Sequence, residues 1–541
     1  MRLNRWIRGL VGLAAVWLAA PPAAHGLDAL DAIDVPLDHW SYAVLEKFEL
    51  RAALPRTFLD LRPITRGEAA VLVQQTERAA AAGTWSPTRI ERAQLDMLRA
   101  EFSPELLARG DTVPLAHRAY HVWSGDAWRL RGFWEGGERI QSRPDAGFSP
   151  PPVDTRIVLE PAVALAIGTR IVAVERLSYR VRTSDAALAQ SSDVRYGEAE
   201  LLFEPRDRFS ITRTVEPYVR YAGNRFRLDL GRFRLRWGPG RQNAMLLQDG
   251  TPPFDQVRLQ LRLGPVRFTS LAGQLRAARL RIDDPELRER YVSLHRLEVA
   301  PHARLHLAFS EAIVYGNRGF DLSYVNPISV FFVTQANNGD VDNALASLDG
   351  RWRVGRGGEV YGECVLDDLN LRRGLRNFGN KPGLLVGGRW QAPFGARDWD
   401  VDAEWSWASQ YLYTHHYPVN RYQHFGGTLG SRTGPDADLW TVALRRQWTR
   451  GWSLAAAYEL ERHGEGSLAD DHEHRTSDEQ EYLSGVTESH HRPGLVVEYQ
   501  GLRSLGLRLD VRSETVRNPG HVTGAASRTS LALRFETRLE L

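Results

Sequence analysis

Among 541 residues there is one cysteine, Cys364, so no internal disulfide holds the chain together. It alternates with Val360, Gly362 and Leu366, which places it on an apolar face as a packing residue and not as a reactive thiol. No apolar run reaches the roughly 20 residues of a membrane-spanning helix, and that excludes a helical membrane bundle. A β-barrel is untouched by this exclusion, because its strands conceal apolar residues by alternation. Charge of one sign is also missing. The 69 Lys and Arg stand against 66 Asp and Glu with no basic cluster, so nucleic acid is not an expected partner. Gly-x-Ser-x-Gly, His-Glu-x-x-His and phosphate-loop motifs are absent. The expectation is a protein that is not an enzyme, with no catalytic residue, cofactor or metal.

What is present begins with a leader. Arg2, Arg5 and Arg8 precede the apolar run LVGLAAVWLAA and the small residues Ala24-His25-Gly26, a pattern that predicts a signal peptide over 1–26 and export. A helical domain is expected over 27–120. Trp40, Val44, Leu45 and Phe48 recur at helical spacing, as do Ala69, Leu72 and Val73, and Thr65 with Glu68 reads as a capping box. A further helical stripe is formed by Ile90, Leu95, Leu98 and Phe102. Asp34, His39-Trp40, Tyr42 and Thr65-Arg66-Gly67-Glu68 together resemble one S-layer homology repeat, with Gly67 where that family has Ala. The resemblance implies a periplasmic domain that binds peptidoglycan or a wall-linked polymer, with Arg66 near the ligand and Trp40 and Glu68 beside it. The plainer reading is that Trp40 is core and residues 66–68 cap a helix.

From residue 121 to the end the period changes to two. Leu505, Leu507, Leu509 and Val511 oppose Gly506, Arg508, Asp510 and Arg512, and Leu531, Leu533, Phe535, Leu539 and Leu541 oppose Arg534, Glu536, Arg538 and Glu540. Strands of about ten residues cross an outer membrane when tilted. Tight connections at 264–265, 355–358, 449–451 and near 501 alternate with long polar excursions at 238–255, 274–290, 315–345, 410–437, 462–492 and 513–527. Short turns on one side and long loops on the other predict an all-β transmembrane antiparallel barrel of about 18 strands, preceded by the small helical domain and located in the outer membrane.

Two loops carry candidate function. In WGPGRQNAMLLQDGTPPF the apolar phase of RFRLDLGRFRLRW slips at Gly231, which predicts a bulge or a strand leaving its sheet. Trp237, Gly238, Pro239 and Gly240 then read as the start of a loop folded into the lumen, the alternative being an ordinary external loop. In QYLYTHHYPVNRYQHFGG, residues Tyr411, Tyr413, Tyr417, Arg421 and Tyr422 suit an acidic polysaccharide, aromatic faces stacking on sugar rings while Arg binds carboxylates or hydroxyls. The alternative is an interfacial aromatic belt. His472 and His474 read as part of a charged loop and not as metal ligands.

The run W-G-P-G, a short apolar segment and P-P-F at 237–254, with SYVNPISVFF and GGEVYGECVLDD between residues 323 and 368, is similar to the Wzi-type capsule assembly family of outer-membrane barrels. That resemblance implies a monomer that binds or organises capsular or extracellular polysaccharide at the cell surface, with outer-membrane lipid around it. The rival expectation is a transport protein, a porin tethered to the wall by the S-layer-like hairpin.

Overall fold

A strand with alternating apolar and charged residues has one face for hydrocarbon and one for ions or water, and it must curl with its neighbours to keep the two apart. The computed structural model describes residues 29–51, 54, 58–113, 122–125, 127–142, 153–183, 209–276, 289–355, 357–368, 377–448, 451–470, 479–502 and 505–540. The leader and both His472 and His474 lie outside them.

The ring runs β1 (Trp128–Ser142), β2 (Val153–Ile167), β3 (Ile171–Thr183), β4 (Phe209–Val215 continued by Tyr218–Ala222), β5 (Phe226–Phe233), β6 (Phe254–Leu263), β7 (Val266–Leu275), β8 (Arg290–His302) and β9 (Leu305–Gly316). It continues through β10 (Asn343–Val354), β11 (Gly358–Asp367), β12 (Lys381–Gln391), β13 (Trp399–Ala408), β14 (Ala437–Gln447), β15 (Trp452–His463), β16 (Glu488–Leu502), β17 (Leu505–Arg517) and β18 (Arg528–Glu540). Both pieces of β4 pair with β3, on either side of Glu216-Pro217. Pro217 has no N–H for the ladder, so the strand is interrupted there. Strand β18 pairs with β1, Phe535 opposite Ile140, and closes the barrel. The short strand Val122–Ser124 pairs with β1 beside the ring. Among the described residues every pairing is antiparallel, and the closed sheet takes in these eighteen strands together with Val122–Ser124, or twenty when the two pieces of β4 are counted apart, close to the about 18 expected.

Burial is inverted relative to a soluble sandwich. Leu230, Leu348, Val386 and Leu531 are exposed on the outer face, whereas Asp229, Arg258, Arg296 and Glu298 on the inner face are fully buried. Trp128, Trp352, Trp390, Trp448 and Trp452 are exposed next to the short turns, forming the aromatic belt of a membrane interface. Cys364 lies on the outward-facing phase of β11, half-buried.

The α-helices described before β1 are α1 (Ser41–Arg51), α2 (Arg66–Ala81), α3 (Arg89–Glu101) and α4 (Ser103–Ala108). Thr65 with Glu68, and Thr88 with Glu91, form reciprocal capping boxes that start α2 and α3. Leu45, Phe48, Val73, Leu98, Phe102 and Leu106 form their shared core. Lys47, Leu54 and Glu68 of this domain meet Gln447, Arg353 and Arg262, which lie beside short turns of the barrel.

Candidate functional site

Three segments of the chain's own length meet inside the ring. The first is the helical domain. Arg351 of β10 donates to Glu49 at 2.9 Å and Asp60 at 2.7 Å, and Arg353 to Glu49 at 2.7 Å. Arg389 of β12 donates to Glu46 at 2.9 Å. Arg220 of β4 grips Asp34 at 2.7 and 2.9 Å, and Arg131 of β1 reaches Glu105 at 2.7 Å. Lys47 donates to Gln447 of β14 at 2.6 Å. The domain is thus tied to strands spread around the circumference. Burial alone would raise the Glu49 and Asp60 carboxyls. The guanidinium of Arg351, joined by Arg353 at Glu49 and by His306 at Asp60, outweighs it and holds both below the ordinary carboxylate range.

The second segment is the loop after β5. Pairing of β5 with β6 is continuous from Phe226 to Phe233, so no bulge exists at Gly231. The apolar phase changes because Phe233, Leu235 and Trp237 turn from lipid towards a buried core. A Cβ on Gly231 would lie 2.3 Å from the Pro217 carbonyl oxygen, so glycine is required by the close approach of β4. Trp237, Gly238, Pro239 and Gly240 are all buried. Arg236–Trp237 forms a two-stranded sheet with Leu61–Arg62 of the helical domain, and the Gly238 N–H donates to the Asp60 carbonyl at 3.0 Å. Two carboxylates hold the rest of the loop. Glu404 of β13 accepts from the backbone N–H groups of Arg241, Gln242 and Asn243 at 2.6, 3.1 and 2.9 Å. Glu363 of β11 accepts from Met245 and Leu246, both at 3.0 Å. Charge-assisted bonds to successive N–H groups fix backbone geometry as well as position.

The third segment is loop 409–436, and it corrects an expectation. Tyr411, Tyr413 and Tyr422, expected as sugar-stacking faces, are buried. Tyr413 donates its hydroxyl to the Met245 carbonyl, and Tyr422 donates to that of Leu246 at 2.8 Å. Their rings stack at 5.7 Å. They are struts joining this loop to the inward loop, because a buried tyrosine hydroxyl must find an acceptor and backbone carbonyls lie there. Tyr417 remains at the outer turn, 46% exposed, its ring 4.6 Å from His416 and 5.8 Å from His415. Arg421 is half-buried and donates to the Ala469 carbonyl at 2.8 Å. Burial, with the Lys381 ammonium second, pushes His415 down to about 4, and burial with Arg290 pushes His424 down to about 3.

The residues of the S-layer-like motif serve the helical core. The buried Arg66 guanidinium donates to Glu105 at 2.9 Å, Glu101 at 2.9 Å and the Glu101 carbonyl at 2.7 Å. Glu68 accepts from the Thr65 N–H at 2.8 Å, and Trp40 packs partly buried on the core. Near them, Glu68, Arg109, Arg227 and Arg262 line a cavity of about 310 Å³ between α2 and the barrel rim, which no sequence motif signals. Asp60, His306 and Asp349 bring ligand atoms within 4.8 Å of one another. Arg351 already bonds Asp60 at 2.7 Å and Arg296 bonds Asp349 at 2.6 Å, so the protein's own cations occupy these carboxylates.

The family model described as capsule assembly protein Wzi matches residues 173–530. No curated protein matches the sequence. Among solved structures, the chain is similar to Wzi of Escherichia coli, described as an outer membrane protein involved in group 1 capsule assembly and a carbohydrate-binding β-barrel. The TM-score is 0.59 at 13% identity, over 94% of this chain and 99% of that one, a likeness of fold. OccK7 (OpdD) of Pseudomonas aeruginosa matches at 10% identity and TM-score 0.43, over 77% of this chain and 99% of that one. OccAB1 of Acinetobacter baumannii matches at 7% identity and TM-score 0.45, over 78% and 98%. The family match begins in β3 and ends in β18, spanning most of the closed ring, and on that basis this outer-membrane barrel belongs to the Wzi capsule assembly family.

Proposed function

We propose that the chain binds capsular or extracellular polysaccharide at the outer face of the outer membrane and keeps it attached to the cell, a binding role without catalysis. The observation that carries this reading is the anchoring of the inward loop. Five successive-region N–H groups end on Glu404 and Glu363, so the middle of the barrel is filled by fixed backbone where a porin needs a passage. Family membership and the carbohydrate-binding description of the Escherichia coli protein support the same role. On the outer loop, Tyr417 offers an accessible ring and Arg421 a nearby cation, the pair that holds a sugar face and an acidic substituent.

Deleting the gene from an encapsulated host is expected to move polymer from the cell surface into the medium. Unchanged cell-bound polymer refutes the proposal. At the molecular level, Tyr417→Ala with Arg421→Ala is expected to weaken binding of the host's purified acidic polysaccharide about tenfold or more, since an aromatic and an ionic contact each contribute about 1 kcal/mol. The buried Tyr413 and Tyr422 are expected to matter only through loop position, so Tyr422→Phe leaves affinity within about twofold, the hydroxyl bond being worth about 1 kcal/mol to the loop.

A further inference from the structure

The motif SYVNPISVFF lies in the excursion after β9. Residues 317–342 do not arch over the mouth; they fold down the outside of the barrel. Helices α5 (Leu322–Val325) and α6 (Phe331–Asn337) pack on the outward-facing phases of β8, β9 and β10, where Ile313, Tyr315, Tyr324, Phe331 and Ala344 form a separate buried cluster. The wall beneath is polar for a lipid-facing surface. Ser293, His295 and Glu311 point outward, yet all are buried under the loop. His295 stacks on Phe331 with ring centres 4.2 Å apart, and Glu311 accepts from the Phe331 N–H at 3.4 Å, at the start of α6. Arg318 and Tyr324 both bond Asp342, at 2.6 and 2.7 Å, and pin the loop's base.

The far side of the loop is apolar. Leu322 is 78% exposed, Ile328 85%, Val330 53% and Val333 59%. Below the loop on the same strands come Leu297, Leu307, Phe309 and Leu348, which belong to the exposed lipid-facing band. Covered positions run from Tyr291 to His295 on β8, roughly 14 Å of wall at about 3.4 Å per residue. Large apolar side chains exposed to this degree on one loop, with Phe320, Phe332 and Val341 exposed beside them, cost too much in water to be ordinary. Their surface continues an established membrane surface without a step.

We infer that the loop at 317–342 is a lipid-embedded flap, whose outer side is solvated by acyl chains of the outer leaflet and whose inner side shields Ser293, His295 and Glu311 from them. The flap widens the apolar belt at the outer rim and replaces a polar wall that hydrocarbon would reject.

The test uses the full chain with Cys364→Ala, carrying a single cysteine at Ile328 or Val333 labelled with an environment-sensitive fluorophore. Leu348→Cys on the lipid band and Tyr417→Cys on the outer loop are the references. In phosphatidylcholine vesicles containing doxyl-labelled acyl chains, labels at 328 and 333 are expected to be quenched as strongly as at 348, and at least twofold more than at 417, with little quenching by iodide. Strong iodide quenching without doxyl quenching means the loop faces water and overturns the inference. Loss of doxyl quenching as the protein-to-lipid ratio rises means a second copy covers the surface, and overturns it also. All four positions are exposed, so the substitutions leave the buried clusters intact. Heat-modified migration on gels confirms that each variant retains its barrel before quenching is read.

Discussion

Strands β4–β10 and strands β15–β17 both line the lumen with arginine and carboxylate, but the two regions hold them differently. Arg220, Asp229, Arg258, Arg296 and Glu298 are fully buried beneath the helical domain and the inward loop. Arg492, Arg508, Arg512, Glu498 and Glu514 form comparable pairs that stay partly accessible. Among the described residues, no hydrogen bond joins β15–β17 to the helical domain. The difference teaches that the same ion pair is architecture in one half and near-neutral in the other. Where water is excluded, a charge deprived of its partner has nothing to replace it. Where water reaches, it takes the partner's place.

The comparison breaks most visibly at Asp229, which accepts from Arg220 at 2.7 Å and from Arg258 at 2.6 Å. Asp229→Ala strands the Arg258 guanidinium, leaves Arg220 with Asp34 as its carboxylate partner and is expected to cost about 3–5 kcal/mol, read as a lowered midpoint of heat-modified gel migration. Glu404→Ala comes next. Three loop N–H groups lose a charged acceptor at an expected cost of about 2–4 kcal/mol, and ion conductance is expected to appear in planar bilayers.

Acid sharpens the contrast. Glu49 and Asp60 have depressed folded-state values, so their stabilisation is present above about pH 4, the ordinary carboxylate value, and is lost as pH falls through the folded values. His415 and His424, pushed down to about 4 and about 3, favour the neutral imidazole. Their contribution is complete above about pH 6.5 and is lost as pH falls towards those values. Both losses therefore run in the acid direction, beginning at loop 409–436 and followed by the helical domain. Hydrogen exchange, corrected for intrinsic rates, is expected to rise in that order between pH 6.5 and 3.5; faster exchange at neutral than at acid pH contradicts the assignment. The smallest effect belongs to the accessible half, where Glu498→Gln, opposite Arg508, is expected to change stability by less than about 1 kcal/mol.

Much of the ring was legible because alternation and turn chemistry are local. Trp352, Leu348 and Val360 declare their face by their neighbours, and Gly264-Pro265 marks a turn wherever it occurs. The phase change after Gly231 was legible as well, although its cause is a change of surroundings and not of register. The burial of Tyr413 and Tyr422 was not legible. A loop rich in tyrosine has the same composition whether its rings meet a sugar or the carbonyls of Met245 and Leu246, and only the fold brings those carbonyls near. Arg66 shows the same limit, since its partners Glu101 and Glu105 lie a helix away. Equal numbers of acids and bases likewise cannot reveal which half of the lumen is dry.

Planar-bilayer recording of the full chain tests most directly whether this barrel is filled by its own backbone. Near-silence at neutral pH is predicted, with current appearing in Glu404→Ala. Steady, large conductance from the unaltered protein would mean that the inward loop does not close the passage, and would return the chain to the transport proteins.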